Sequence, residues 1–100
     1  MKEITLYEFR LNLAELVSDY DGLYEMAMRT PDDQLLKMNL YEDFGLDSLD
    51  IEEMFTTLCD HYGITDRVFN PLTRFAFHDE QTVENFIDLV NYYLNYYLNR

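Results

Sequence analysis

The chain predicts an all-α fold, a bundle of four helices with room for a short fifth. Three observations carry this. Apolar residues recur at three- and four-residue steps in three long segments, alternating strand patterns are nearly absent, and 100 residues at 48% apolar content suffice for one compact domain spanning residues 1–100. A domain of this size has a modest stability margin, roughly 5 to 10 kcal/mol.

In the first segment Leu6, Phe9, Leu13, Leu16, Val17 and Tyr20 form one apolar stripe on a helix from about residue 4 to residue 20, with Asp21 and Gly22 as its stop. A long connection follows from Leu23 to Asp47. Within it Thr30 reads as a cap, Pro31 as a first-turn residue, and Asp32 and Asp33 as acids on the positive dipole end, so a short helix over 31–38 is expected. Leu35, Leu36, Met38 and Leu40 offer this connection apolar anchors.

The next main helix runs from about Leu49 to Tyr62, with Ile51, Met54, Phe55, Leu58 and Tyr62 inward and Gly63 ending it in the left-handed position. Its outward face carries Asp50, Glu53, Thr57 and Asp60, and Cys59 reads as a small, half-buried residue. The stretch ITDRVFNPLTRFAF contains Pro71 and suits a short helix or a turn-rich crossing. From about Asp79 to Asn99, Val83, Phe86, Ile87, Val90, Leu94 and Tyr97 define a last helix opened by Asp79 and Glu80. Its NYYLNYYLN repeat puts tyrosines on more than one face, where they pack on the core with wet hydroxyls or form a contact patch.

Charge excludes several functions. With 20 acidic and 7 basic side chains the net charge is −13, which opposes nucleic acid and anionic lipid headgroups and favours basic partners. Between Lys37 and Arg67 there is no Lys or Arg, while Glu42, Asp43, Asp47, Asp50, Glu52, Glu53, Asp60 and Asp66 fall in that interval. A single cysteine excludes an internal disulfide framework and suits a reducing compartment. MKEITLYEFR lacks the apolar stretch of a signal peptide, and no run approaches the roughly 20 apolar residues of a membrane span, so a cytoplasmic location without membrane insertion is expected.

The most informative stretch is DFGLDSLD, residues 43–50. It sets Ser48 between Asp47 and Asp50 at the opening of a helix, with Asp43, Phe44 and Gly45 forming a turn upstream. Gly45 is where a positive φ or a close backbone approach is expected, and Phe44 is expected to plug the core below the loop. A serine here can cap backbone N–H groups, as can Asp47, an effect of about 1 kcal/mol. The same helix end also favours a phosphate, because its N–H groups are free and its dipole end is positive.

The run LYEDFGLDSLDIEEMFTTLCDHYGI, residues 40–64, resembles the acyl carrier proteins, whose signature joins a leucine, a DLG or DFG turn and a DSL. TVENFIDLVNYYL is similar, more weakly, to that family's closing helix. The resemblance implies an acyl-carrier-like bundle in which Ser48 carries a 4'-phosphopantetheine arm, transferred from coenzyme A by a Mg²⁺-dependent phosphopantetheinyl transferase. Asp43, Gly45, Asp47 and Leu49 support the motif, and Asp47, Leu49, Asp50, Glu53 and Asp60 form the face that the resemblance assigns to basic docking surfaces of acyl-loading, ketosynthase-type and acyltransferase enzymes. The family often has an apolar residue where this chain has Glu52, which bears on the choice of partner. The chain would then hold acyl intermediates for fatty acid, polyketide or specialised lipid synthesis and be no enzyme itself.

Other chemistries fit less well. His61 lies thirteen residues after Ser48 on the same helix, about 20 Å along its axis, too far to activate it, and His78 has no motif around it. Cys59, His61 and His78 lack the paired spacing of a zinc module. A calcium loop counted from Asp43 would have Ser48 and Met54 where glycine and glutamate are required, so no metal is expected. The alternative that stands is an acidic adaptor with the carrier fold and no prosthetic group.

Overall fold

The first helix begins where the sequence supplies a reciprocal cap. Thr5 Oγ1 accepts the Glu8 N–H at 3.1 Å, and the Glu8 carboxylate accepts the Thr5 N–H at 3.2 Å. The structure, a computed structural model, describes residues 3–64, 75 and 80–98. Among these residues run five helices: α1 (Leu6–Leu16), α2 (Asp21–Arg29), α3 (Asp32–Leu35), α4 (Ser48–His61) and α5 (Val83–Leu98). They contain no strand, only an isolated bridge between Asn39 and Thr82, so the fold is all-α. The crossing segment from residue 65 to 79 lies outside the described residues, Phe75 excepted; that side chain is buried.

Several boundaries differ from the sequence expectation, the first two at the junction of α1 and α2. α1 stops at Leu16 rather than near residue 20: Val17 leaves helical geometry, and the Tyr20 N–H closes a turn on the Val17 carbonyl at 2.9 Å. Ser18 and Asp19 are poor helix-interior residues, because their side chains compete for backbone groups. Asp21 and Gly22 do not end a helix but open α2, the acid sitting in the first turn, where the dipole favours it. Tyr20, expected on the inward stripe, is therefore the exposed N-cap of α2.

The long connection thus resolves into α2, α3 and one anchored loop. Thr30 does not cap α3; its hydroxyl donates to the Met26 carbonyl at 2.6 Å and closes α2, while Pro31 stands at the N-cap of α3 without a side-chain bond. α3 is a single turn, shorter than the 31–38 expected, and Leu35 within it is fully buried. Arg10 of α1 ties these pieces together. Its guanidinium, 8% exposed as a residue, donates to the Ala27 carbonyl at 2.7 Å and pairs with Asp32 at 2.7 Å.

α1 packs on α2 and on α4, and α4 packs in turn on α5. The inward faces supply Phe9, Leu13 and Val17 from α1, Ile51, Met54, Phe55 and Leu58 from α4, and Val83, Phe86, Ile87, Val90 and Leu94 from α5, all buried. Rings lock the layers: Phe9 lies 5.6 Å from Phe86, and Phe55 5.0 Å from Tyr93. Cys59 is fully buried rather than half-buried, because it follows Leu58 on the flank that meets the core. Gly63 ends α4 at φ +79°, the left-handed position that glycine takes cheaply.

α5 starts at Val83, later than expected, with Thr82 Oγ1 accepting the Asn85 N–H at 3.2 Å as its cap. Glu80 precedes the helix, and Asp79 lies outside the described residues. The tyrosines of the tail divide by face. Tyr93 is wholly buried, whereas Tyr92 and Tyr96 are exposed; the side chain of Tyr97 lies outside the described residues.

Candidate functional site

The site is built on the loop between α3 and α4, and Asn39 organises that loop. Its Oδ1 accepts the N–H groups of Tyr41 at 2.8 Å and Glu42 at 2.9 Å, while its own N–H donates to Asp43 Oδ2 at 2.7 Å. These are local side-chain bonds of the kind that replace helix or sheet pairing in turns. The loop is also fastened to the start of α5. The Leu40 N–H donates to the Gln81 carbonyl at 2.7 Å, the Val83 N–H to Met38 at 3.0 Å and the Glu84 N–H to Leu36 at 2.9 Å.

Two buried side chains, Phe44 and Leu46, then pin the turn from below, each contributing roughly 1.5–3 kcal/mol by burial. Gly45 between them is exposed at φ +67°, so it lets the chain reverse while both neighbours point inward. The Leu46 N–H returns to the Leu40 carbonyl at 3.1 Å. The chain therefore arrives at residue 47 in a fixed direction.

Asp47 is the N-cap of α4. Its Oδ1 accepts the Asp50 N–H at 2.9 Å, and Asp50 Oδ2 accepts the Asp47 N–H at 3.1 Å. Ser48 is the first residue of the helix and is exposed. Its hydroxyl is not spent on capping, because Asp47 does that. The N–H groups of Ser48 and Leu49 precede any carbonyl four residues back within the helix, so this end offers free donors and a positive dipole. Leu49 follows with 72% of its surface in solvent, an unusual position for a leucine beside a helix start.

The other expected residues fall in two groups. Asp43 is a turn-forming acceptor, and Asp47 and Asp50 are capping groups as well as surface charges. Glu53 and Asp60 are exposed and, with Leu49, recur at steps of four and seven, so they share one face of α4. Tyr41 is half-buried at the base of the loop, its hydroxyl pushed above the usual phenol range by burial and then by the charge of Asp47. Asn39 was not singled out from the sequence; an asparagine four residues before an aspartate in a glycine-bearing loop was the available signal.

His61 is exposed at the far end of α4, away from Ser48, and His78 lies outside the described residues. Among the described residues no group of three His, Cys, Asp or Glu side chains is placed to hold a metal ion, and no helix is long and apolar enough to cross a membrane. An exposed primary alcohol in the first turn of a helix can take a phosphate-linked group: the oxygen is reachable, and a helix N-terminus favours an anion. Comparison with protein-family models, with curated proteins and with solved structures returns no match.

Proposed function

We propose that the chain is an acyl carrier protein in which Ser48 is the attachment point of a 4'-phosphopantetheine arm. The observation that carries this reading is the division of labour at the start of α4. Asp47 and Asp50 close the cap between themselves, and the serine between them is left exposed with an uncommitted hydroxyl. When bound, such an arm supplies a terminal thiol that holds an acyl group as a thioester.

What this chain's own residues do is present and orient. The buried pair Phe44 and Leu46 and the Asn39 bonds fix the direction in which Ser48 faces solvent. Leu49 offers an apolar contact beside it, and Glu53 and Asp60 continue the same face with negative charge. A small apolar contact with a charged rim suits brief visits to several basic enzymes, since charge steers association while a small interface releases easily. The enzymes of this reading are a phosphopantetheinyl transferase and the acyl-loading, ketosynthase-type and acyltransferase enzymes of fatty acid, polyketide or specialised lipid synthesis, in the cytoplasm.

Incubation with coenzyme A, Mg²⁺ and a transferase of broad specificity, followed by mass spectrometry, tests the reading. One phosphopantetheinyl addition that is lost in Ser48→Ala is the expected result. No addition to a folded chain would leave the acidic adaptor in its place.

A further inference from the structure

The outer side of the α1–α2 hairpin carries an apolar patch. Eight large apolar or aromatic side chains are exposed among the described residues, and five of them lie here: Tyr7 and Leu11 on α1, Tyr20 at the N-cap of α2, and Tyr24 and Met28 within α2. Register brings them together. Arg10, six residues before the end of α1, bonds to the carbonyl of Ala27, six residues after the start of α2, so the helices run antiparallel with these two positions level. At about 100° per residue, Phe9 and Leu13 fall on one side of Arg10, and Tyr7 and Leu11 on the other. In α2, Leu23 and Met26 fall on one side of Ala27, and Tyr20, Tyr24 and Met28 on the other. Phe9, Leu13, Leu23 and Met26 belong to the core or pack against it, so the five exposed side chains share the opposite side of the seam.

Such a patch is large for a surface. At about 200 Å² for a side chain of this size, exposed fractions of 67, 42, 65, 39 and 37% amount to on the order of 500 Å². That lies in the upper part of the range for the largest patch on a monomer, a range in which patches are often functional. Its margins are acidic: Glu8 and Glu15 flank it on α1, and Asp21 and Glu25 on α2, with Arg29 paired to Glu25. From Tyr7 to the level of Tyr20 the seam runs about 15 Å, nearly three helical turns.

We propose that this seam receives one amphipathic helix of about three turns from a partner protein, apolar along one stripe and basic at its margins. A helix laid over two antiparallel helices completes a three-helix packing, its anchors at steps of three and four residues meeting the tyrosines, Leu11 and Met28. Lysines or arginines beside that stripe reach the acids at the margins, which fix orientation and speed association. A second copy of this chain suits the patch poorly. Each copy brings a charge of −13, and about 1,000 Å² buried in total falls below the roughly 1,600 Å² of a standard stable interface. α4 meets α1 on another flank, at Asn12 and Leu16, so the seam is independent of any group attached at Ser48.

The probe is a blocked peptide of two tandem copies of Leu-Lys-Lys-Leu-Leu-Lys-Leu, titrated by amide NMR into the full-length Ser48→Ala chain. Its control has the same composition in an order without a helical stripe. The striped peptide is expected to shift the amides of Tyr7, Leu11, Tyr24 and Met28, and to bind at least tenfold more tightly than the control. Leu11→Gln/Tyr24→Gln is expected to weaken it at least tenfold. Tyr92→Gln/Tyr96→Gln, which removes exposed tyrosines from α5, is expected to change it less than twofold. Shifts centred elsewhere, equal affinity for the two peptides, equal weakening by the two double variants, or no binding at all would overturn the proposal. So would concentration-dependent shifts of the same amides without peptide, which would give the patch to a second copy. Binding to phosphatidylcholine vesicles that is lost in Leu11→Gln/Tyr24→Gln would likewise overturn it, in favour of a membrane. Modification at Ser48 is read separately by mass.

Discussion

Asp47 and Asp50 bond to each other's backbone N–H across the first turn of α4, at 2.9 and 3.1 Å, with Ser48 between them. The cap therefore belongs to the aspartates and the free hydroxyl to the serine. Asp47→Ala removes an N-cap of the strongest class, and a loss of about 1 kcal/mol in urea unfolding is expected. Ser48→Ala is expected to change stability by less than about 0.5 kcal/mol, as for surface positions outside special features. A Ser48→Ala loss as large as that of Asp47→Ala would show that the serine is a structural cap after all.

Gly45 tests the turn separately from the cap. A Cβ built there meets no atom within 4 Å, so space is not the issue; the φ of +67° is. Gly45→Ala should cost about 1–2 kcal/mol from the left-handed backbone alone. Gly45→Asn should cost less, because asparagine tolerates that region. Thermal unfolding of the two variants checks the order.

How much of this was legible in the sequence depends on the kind of signal. Phe44, Gly45 and the inward stripe of α4 were readable because each follows from a local rule: a helical period, or a residue type with special backbone freedom. The identity of the cap was not, because Asp47 and Ser48 are both good N-caps and only the direction of the incoming loop, set by Asn39 and by the bonds to Gln81 and Met38, decides between them. α2 was hidden for a related reason. Asp-Gly reads as a stop, yet its helix is held by tertiary contacts: Ala27 is fully buried, and the Arg10 guanidinium takes its carbonyl. Asn12, Glu15 and Leu16 of α1 meet Glu53, Met54 and Thr57 of α4 around one cleft, a junction of residues some forty positions apart that no local pattern records.

Leu49 separates presentation from stability. With 72% of its surface already in solvent, Leu49→Ala removes little buried area, and a change of less than about 0.5 kcal/mol is expected in unfolding. If Leu49 is a contact for the modifying enzyme, the same variant should raise the KM of the transferase reaction several-fold with kcat nearly unchanged, as expected for binding shared by ground and transition states. An unaltered KM would remove Leu49 from the docking face.

Among the described residues Arg10 is the one buried cation. Its bond to the Ala27 carbonyl closes the end of α2 from inside, whereas its partner Asp32 is largely solvent-exposed. Arg10→Ala leaves a buried carbonyl without a donor and strips the packed stem, an expected loss of about 2–3 kcal/mol. Asp32→Asn should cost under about 1 kcal/mol, since a pair with one exposed member is screened. Comparable losses would mean that the ion pair, not the carbonyl bond, holds α2 and α3 to α1.

The far end of α4 carries a pH dependence of definite sign. The Tyr62 hydroxyl donates to Glu8 Oε2 at 2.9 Å, while Glu8 Oε1 accepts from Thr5, so one carboxylate joins the cap of α1 to the end of α4. Burial, then this hydrogen bond and then the Glu8 charge push the Tyr62 phenol above its ordinary value of 10.0. The folded chain thus favours the neutral phenol more than the unfolded chain does. Its contribution is fully present below the unfolded value and is lost as pH climbs from about 10 through the folded value, because there the unfolded state releases the proton first. Tyr41 shifts the same way, by burial and then Asp47, so Tyr62→Phe should flatten the alkaline loss in part rather than abolish it. Urea unfolding of both chains between pH 8 and about pH 11 measures this, and identical alkaline slopes would exclude the Tyr62–Glu8 bond as a source of stability.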